Sequence, residues 1–229
     1  MSQTKNQKSF EEKLDRMKEY SLGDAISLLK DLSFAKFDET IELSIGLGVD
    51  PRHADQNIRV TASLPSGTGK EVKVLVITQG PKEKEAEEAG SDFVGNKEYL
   101  EKIKSGWAEI DTIIATPDMM PELGKLGKVL GPKGLMPNPK SGTVTMDVAK
   151  AVQEIKSGKI EIRLDKFGIA HVICGKMSFE NDALADNIKK IYETIIKARP
   201  AAVKGTYLKK ITLSSSMVPG IKLDKSKIR

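Results

Sequence analysis

Residues 64–78, "LPSGTGKEVKVLVIT", mark the point at which the chain changes its grammar. Pro65, Ser66, Gly67 and Gly69 are linker and turn residues. From Val74 to Ile77 the side chains are continuously apolar and mostly β-branched, the pattern of a strand covered on both faces. Upstream the pattern is different. In "TIELSIGL", Ile41, Leu43, Ile45 and Leu47 fall on one face and Thr40, Glu42, Ser44 and Gly46 on the other, as in a half-buried strand. "NIRVTASL" repeats the alternation with Ile58, Val60, Ala62 and Leu64.

Downstream, helical and extended patterns take turns. The segments "PKEKEAEEAG", "KEYLEKIKSG" and "PDMMPELGKLGKVLG" read as helices, separated by a short "DFV" and the strand "DTIIAT". Such alternation predicts a parallel sheet built from right-handed crossovers. After one more helix, "DVAKAVQEIKSG", the alternating strands return in "KIEIRLDKFGIAHVICGK", which predicts a hairpin turning at Asp165–Gly168. A long amphipathic helix from about Asn181 to Ala198 ends at Pro200, and "TYLKKITLS" is the last predicted strand. Near the start, "SLGDAISLLKDL" predicts a helix with Ser21 as its N-cap.

The fold class that accommodates both grammars is mixed, α/β and α+β. Residues 1–66 and 159–229 would form a discontinuous α+β domain, and 67–158 an inserted Rossmann-like α/β domain. The junctions "LPSGTGK" and "KSGK" carry linker residues, and two adjacent linkers make a hinge.

Composition narrows the function. The 229 residues are 39% hydrophobic and 30% charged, and no apolar run approaches the roughly 20 residues that span a bilayer. The first twenty residues lack the apolar core of a secretory signal, so the expectation is a cytoplasmic protein. The single cysteine, Cys174, excludes an internal disulfide and reads as core. The net charge of +5 is unevenly spread. From Val203 to Arg229 there are seven Lys and Arg against Asp224 alone, whereas Lys82–Lys102 has seven acids and four lysines. One surface is expected to face a polyanion and another to face solvent.

Catalytic motifs are missing. "SGTGKE" has Leu64 and Glu71 where a phosphate-binding loop needs glycine and Ser or Thr. No G-x-G-x-x-G follows the first inserted strand, so a dinucleotide is not expected. His53 and His171 have no partners at metal-ligand spacing. Neither an enzyme, a cofactor nor a metal is expected. A nucleotide-using enzyme on the inserted domain is the rival reading, and it would need a phosphate loop.

Two stretches suggest RNA instead. "TYLKKITLSSSMVPG" sets lysines beside three hydroxyls and Met217, and "AKFDETIEL" sets Lys36 and Phe37 just ahead of Thr40 and Glu42. Hydroxyls position phosphates and 2′-hydroxyls, while apolar groups pack on sugars and bases. The third unusual stretch, "GPKGLMPNPKSGT" at 131–143, packs three prolines, three glycines and two lysines into one loop.

These stretches, with "AKFDETIELSIGLGVDPRHADQNIR" and "GKVLGPKGLMPNPKSGTVT", resemble the bacterial ribosomal protein L-one family, in order and along essentially the whole chain. The resemblance implies a non-enzymatic protein of the mobile stalk beside the tRNA exit site. Its partners would be large-subunit rRNA, exit-site tRNA and the mRNA of its own operon, which it would repress. It would be a monomer when free and ribosome-associated when bound, with no membrane. Carried over by motif, the rRNA and mRNA contacts would be Lys36, Phe37, Thr40, Glu42, Lys166, Lys176, Ser178, Ser215, Ser216, Met217 and Gly220. In the 131–143 loop, Lys133, Gly134, Met136 and Lys140 would either touch RNA or tRNA or brace the domain interface. Two positions depart from the family: Val218 and Val60 stand where it favours glycine. A Cβ at Val218 is expected to hinder close approach of RNA, with Gly220 compensating.

Overall fold

The alternation of Ile41, Leu43 and Ile45 is realised as a strand whose inward side chains are fully buried. The computed structural model of the chain describes residues 4–53, 55–80, 82–107 and 109–228. In chain order, the first half runs α1 (Lys5–Lys13), α2 (Leu22–Leu32), β1 (Thr40–Leu47), β2 (Arg59–Ser63), β3 (Val74–Ile77), α3 (Lys82–Glu88), β4 (Phe93–Gly95), α4 (Lys97–Lys104) and β5 (Thr112–Ala115). The second half runs α5 (Met120–Lys125), α6 (Gly127–Leu130), α7 (Val148–Lys156), β6 (Lys159–Arg163), β7 (Ile169–Lys176), α8 (Asn181–Lys197), β8 (Leu208–Ser215) and β9 (Ile221–Lys222). The chain divides into two compact units, Met1–Gly69 with Ile160–Arg229, and Lys70–Lys159.

The first unit is α+β. Its main sheet has the order β7-β1-β8-β9 and is antiparallel throughout. Leu29 of α2 and Ile188 and Ile191 of α8 share one core with Leu43, Ile45 and Leu213 of the sheet, all fully buried. Helix α2 starts where its cap dictates: the Ser21 hydroxyl accepts a hydrogen bond from Asp24 N at 3.3 Å. Helix α1 has a capping box in which Thr4 and Gln7 exchange side-chain and backbone bonds; the hydrophobic pattern gives no sign of it.

The second unit is α/β, with parallel strands in the order β4-β3-β5. Both faces of β3 are covered. Leu75 and Ile77 join one core with Ile113 and Leu123, while Val74 and Val76 join another with Ile114, Val148 and Val152.

Three expectations need correction. The stretch 117–130 is not one helix: a 3₁₀ turn at Pro117–Met119 leads to α5, and α6 follows after a break at Leu126. Pro117, Pro121, Gly124 and Gly127 explain the breaks. The predicted hairpin is only a turn, closed by Asp165 N donating to Ile169 O and by a Leu164–Ala170 bridge. Strand β6 pairs with β2, and β7 pairs with β1. Finally, the chain turns back after β8 to add the short β9.

Candidate nucleic-acid interface

Antiparallel pairing brings the start of β1, the end of β7 and the end of β8 to one place: Thr40 faces Lys176, and Ile41 faces Ser215. Into this end runs the segment 33–39, leaving α2. Its pivot is Glu39, which is fully buried. One carboxylate oxygen accepts from the Ser33 hydroxyl at 2.7 Å, and the other from the Ser215 hydroxyl at 2.5 Å and Met217 N at 2.9 Å. Burial pushes the Glu39 carboxyl up. The bonds from Ser215, Ser33 and the backbone N–H groups of Met217 and Ala35 outweigh it, so the acid titrates below the usual carboxylate range.

A second carboxylate repeats the device at the surface. Asp38 accepts from Ser178 N at 3.0 Å and from the Ser178 hydroxyl at 2.8 Å. Lys176 donates to the Thr40 hydroxyl at 2.8 Å, and Met177 N to the Glu39 carbonyl at 2.9 Å. Ser216 accepts from Thr40 N at 3.3 Å. Loops that would otherwise be loose are thus pinned to the ends of three strands. Among the groups they hold out to solvent are two large apolar ones: Phe37 is 57% exposed and Met217 50%.

The expected contact residues are therefore mostly gathered here, but in two roles. Lys36, Phe37, Ser216 and Met217 are exposed, and Glu42 is exposed on the open face of the sheet. Ser215 is buried and spends its hydroxyl on Glu39, while Thr40, Lys176 and Ser178 are bonded to one another or to Asp38. Glu39, Asp38 and Ser33 organise the end without being expected from sequence, because an acid beside a strand reads as a solvated side chain. Gly220 precedes β9 and lies so close to Thr212 that a Cβ would stand 2.6 Å from its methyl carbon. Val218 is buried in the core, so its side chain points away from solvent. Val60 packs against the same core.

Lys166 is not brought to this end. It lies in the turn before β7, and the seven steps from Ile169 to Lys176 put about 23 Å between the two ends of that strand. There Lys166 and the exposed Phe167 line a hollow with Arg52 and Arg163.

The 131–143 loop, within the α/β unit, closes on Asn138. Asn138 N donates to the Thr143 hydroxyl at 2.8 Å, and the Asn138 carbonyl accepts from Ser141 and Thr143. Gly134 and Gly142 take left-handed conformations, with φ of +72° and +71°. The loop then lies beside β5, with Ala115 N donating to Thr143 O and Thr145 N to Ala115 O. Met136 packs against the core of this unit, Lys133 donates to the Gly106 carbonyl, and Lys140 is exposed.

The sequence is similar to known proteins along nearly its whole length. The pattern of the Ribosomal protein L1p/L10e family matches residues 29–219. The chain belongs to that family. It is 56% identical over 221 residues to the large ribosomal subunit protein uL1 of Phocaeicola vulgatus, covering 96% of this chain and 95% of that one. It is 54% identical over 223 residues to uL1 of Chlorobaculum tepidum, covering 97% and 96%. Members of this ribosomal family are structural components, not enzymes. Among the described residues no helix is long and apolar enough to cross a membrane, and no cluster of His, Cys, Asp and Glu is arranged to hold a metal ion.

Proposed function

We propose that the chain is a constituent of the large ribosomal subunit that binds its rRNA to form the mobile stalk at the tRNA exit site. It assists release of deacylated tRNA and represses translation by binding the mRNA of its own operon. The names of the relatives support the large subunit. The observation that carries the RNA reading is the pair Phe37 and Met217, held exposed over a saturated buried carboxylate.

An unstacked base needs an aromatic face and a sugar needs an apolar surface, and a rigid mount lowers the entropy lost on binding. Lys36 supplies a salt-dependent share to phosphates, Glu42 and Ser216 offer polar contacts, and Lys166 extends the contact to the other end of β7. A site that reads RNA shape accepts any RNA folded alike, which is how one surface serves both rRNA and mRNA. In the α/β unit, Lys133, Gly134, Met136 and Lys140 would meet tRNA through backbone and charge. The test is a salt titration of binding to the stalk rRNA fragment beside a scrambled RNA of equal length. The expected result is a preference of about a thousandfold that survives high salt. Equal binding that is lost for both RNAs as salt rises would remove the shaped site and leave only lysine attraction.

A further inference from the structure

Asn187 of α8 is fully buried, and its amide is shared between two separate pieces of chain. Its Oδ1 accepts from Ser66 N at 3.1 Å, and its Nδ2 donates to the Gly67 carbonyl at 3.0 Å and to the Cys174 carbonyl at 2.7 Å. Ser66 and Gly67 belong to the connection by which the chain leaves the α+β unit. Cys174 is the extra residue of a bulge in β7: Ile41 faces Gly175 while Glu42 faces Ile173.

Two residues beyond the bulge is Lys176, bonded to Thr40 and to the Asp38 carbonyl. On its other side Lys176 lies against the connection. Gly69, at φ +71°, runs so close that a Cβ there would stand 2.8 Å from both Lys176 and Phe179. The segment 174–179 therefore touches the connection through Asn187 and Gly69, and the start of β1 through Lys176.

We infer that Asn187 is a positioning residue that couples the Phe37–Thr40–Met217 end to the Ser66–Gly69 connection, so that RNA seated at that end tightens the connection. This rests on the RNA reading above. The coupling is reciprocal by linkage: a loosened connection weakens RNA binding by the same factor. A buried amide with a purely structural role would stabilise the fold equally with and without RNA.

The test is hydrogen exchange by mass spectrometry on the full chain, free and bound to the stalk rRNA fragment, for wild type and Asn187→Asp. The aspartate keeps the shape and the bond from Ser66 N, but turns an acceptor toward the Gly67 and Cys174 carbonyls. In wild type, exchange across residues 66–69 should slow about tenfold on RNA binding. In Asn187→Asp the slowing should vanish and RNA affinity should fall about tenfold. Selective RNA binding with unchanged exchange at 66–69, or slowing retained in the variant, overturns the coupling. If the variant does not fold, the wild-type comparison decides alone. Loss of preference for the stalk fragment over scrambled RNA would overturn the RNA reading first, and it is read in the same titration.

Discussion

Two irregular stretches, 33–39 with 215–217 in one unit and 131–143 in the other, are each tied around one residue. They are tied for opposite ends. Around Glu39 a buried charge gathers hydroxyl and backbone donors, and the loops it pins hold Phe37 and Met217 out to solvent. Around Asn138 a main-chain carbonyl and neighbouring hydroxyls do the tying, and the larger apolar residues of the loop turn inward: Leu135 and Met136 pack on the core, and Pro137 between them and Asn138 is buried. The direction of the large apolar side chains, more than the presence of lysines, distinguishes the proposed rRNA surface from the 131–143 loop. Both stretches have exposed lysines, and only the first has exposed large apolar groups.

The largest effect should come from removing the pivot of the first stretch. Glu39→Ala leaves the Ser33 and Ser215 hydroxyls and Met217 N without their acceptor in a buried place. That should cost about 3 kcal/mol of stability and abolish selective binding of the stalk rRNA fragment. The acid also sets a pH window. Its folded pKa is depressed, so its stabilisation is present above the unfolded value of 4.5 and is lost as pH falls through the lower folded value. Thermal unfolding followed from pH 6 to pH 3 should show wild type losing stability below about pH 4.5 more steeply than Glu39→Gln. Parallel curves would remove Glu39 from its role as pivot.

A smaller effect, confined to binding, is expected at the surface the pivot supports. Met217→Ala should weaken the stalk fragment by about 1–3 kcal/mol while leaving the melting temperature within about 2 °C of wild type. If affinity is unchanged in the folded variant, exposed apolar groups do not mark the binding stretch, and the comparison loses its basis.

Much of this was legible in the sequence. Alternation at Ile41–Leu47 and the continuous apolar run at Val74–Ile77 are local consequences of which faces are buried, so they announce an antiparallel and a parallel sheet directly. Strand partners are not local. Residues Lys159–Arg163 and Ile169–Lys176 flank a turn and read as a hairpin, yet β6 pairs with β2, a choice made by tertiary packing. Of the candidate surface, Phe37 and Met217, which the structure leaves exposed, were visible as apolar residues beside lysines. Glu39 was not, because no pattern distinguishes an acid that collects donors from distant strands from one that faces water. The burial of Val218 was not visible for the same reason: it depends on how β8 turns back into β9.

The smallest effect tests the brace. Thr143→Val removes the hydroxyl that accepts from Asn138 N and donates to the Asn138 carbonyl, while keeping the shape of the side chain. Asn138 N then lacks its partner, and the unit should lose about 1–2 kcal/mol of stability, seen as faster hydrogen exchange in 131–145. Affinity for the stalk rRNA fragment should not change, because the loop's large apolar residues, Leu135 and Met136, pack on its own core. A variant that exchanges normally but binds the fragment less well would make the loop a contact surface. Lys133 and Lys140 would then outrank Phe37 and Met217 as the signal to look for.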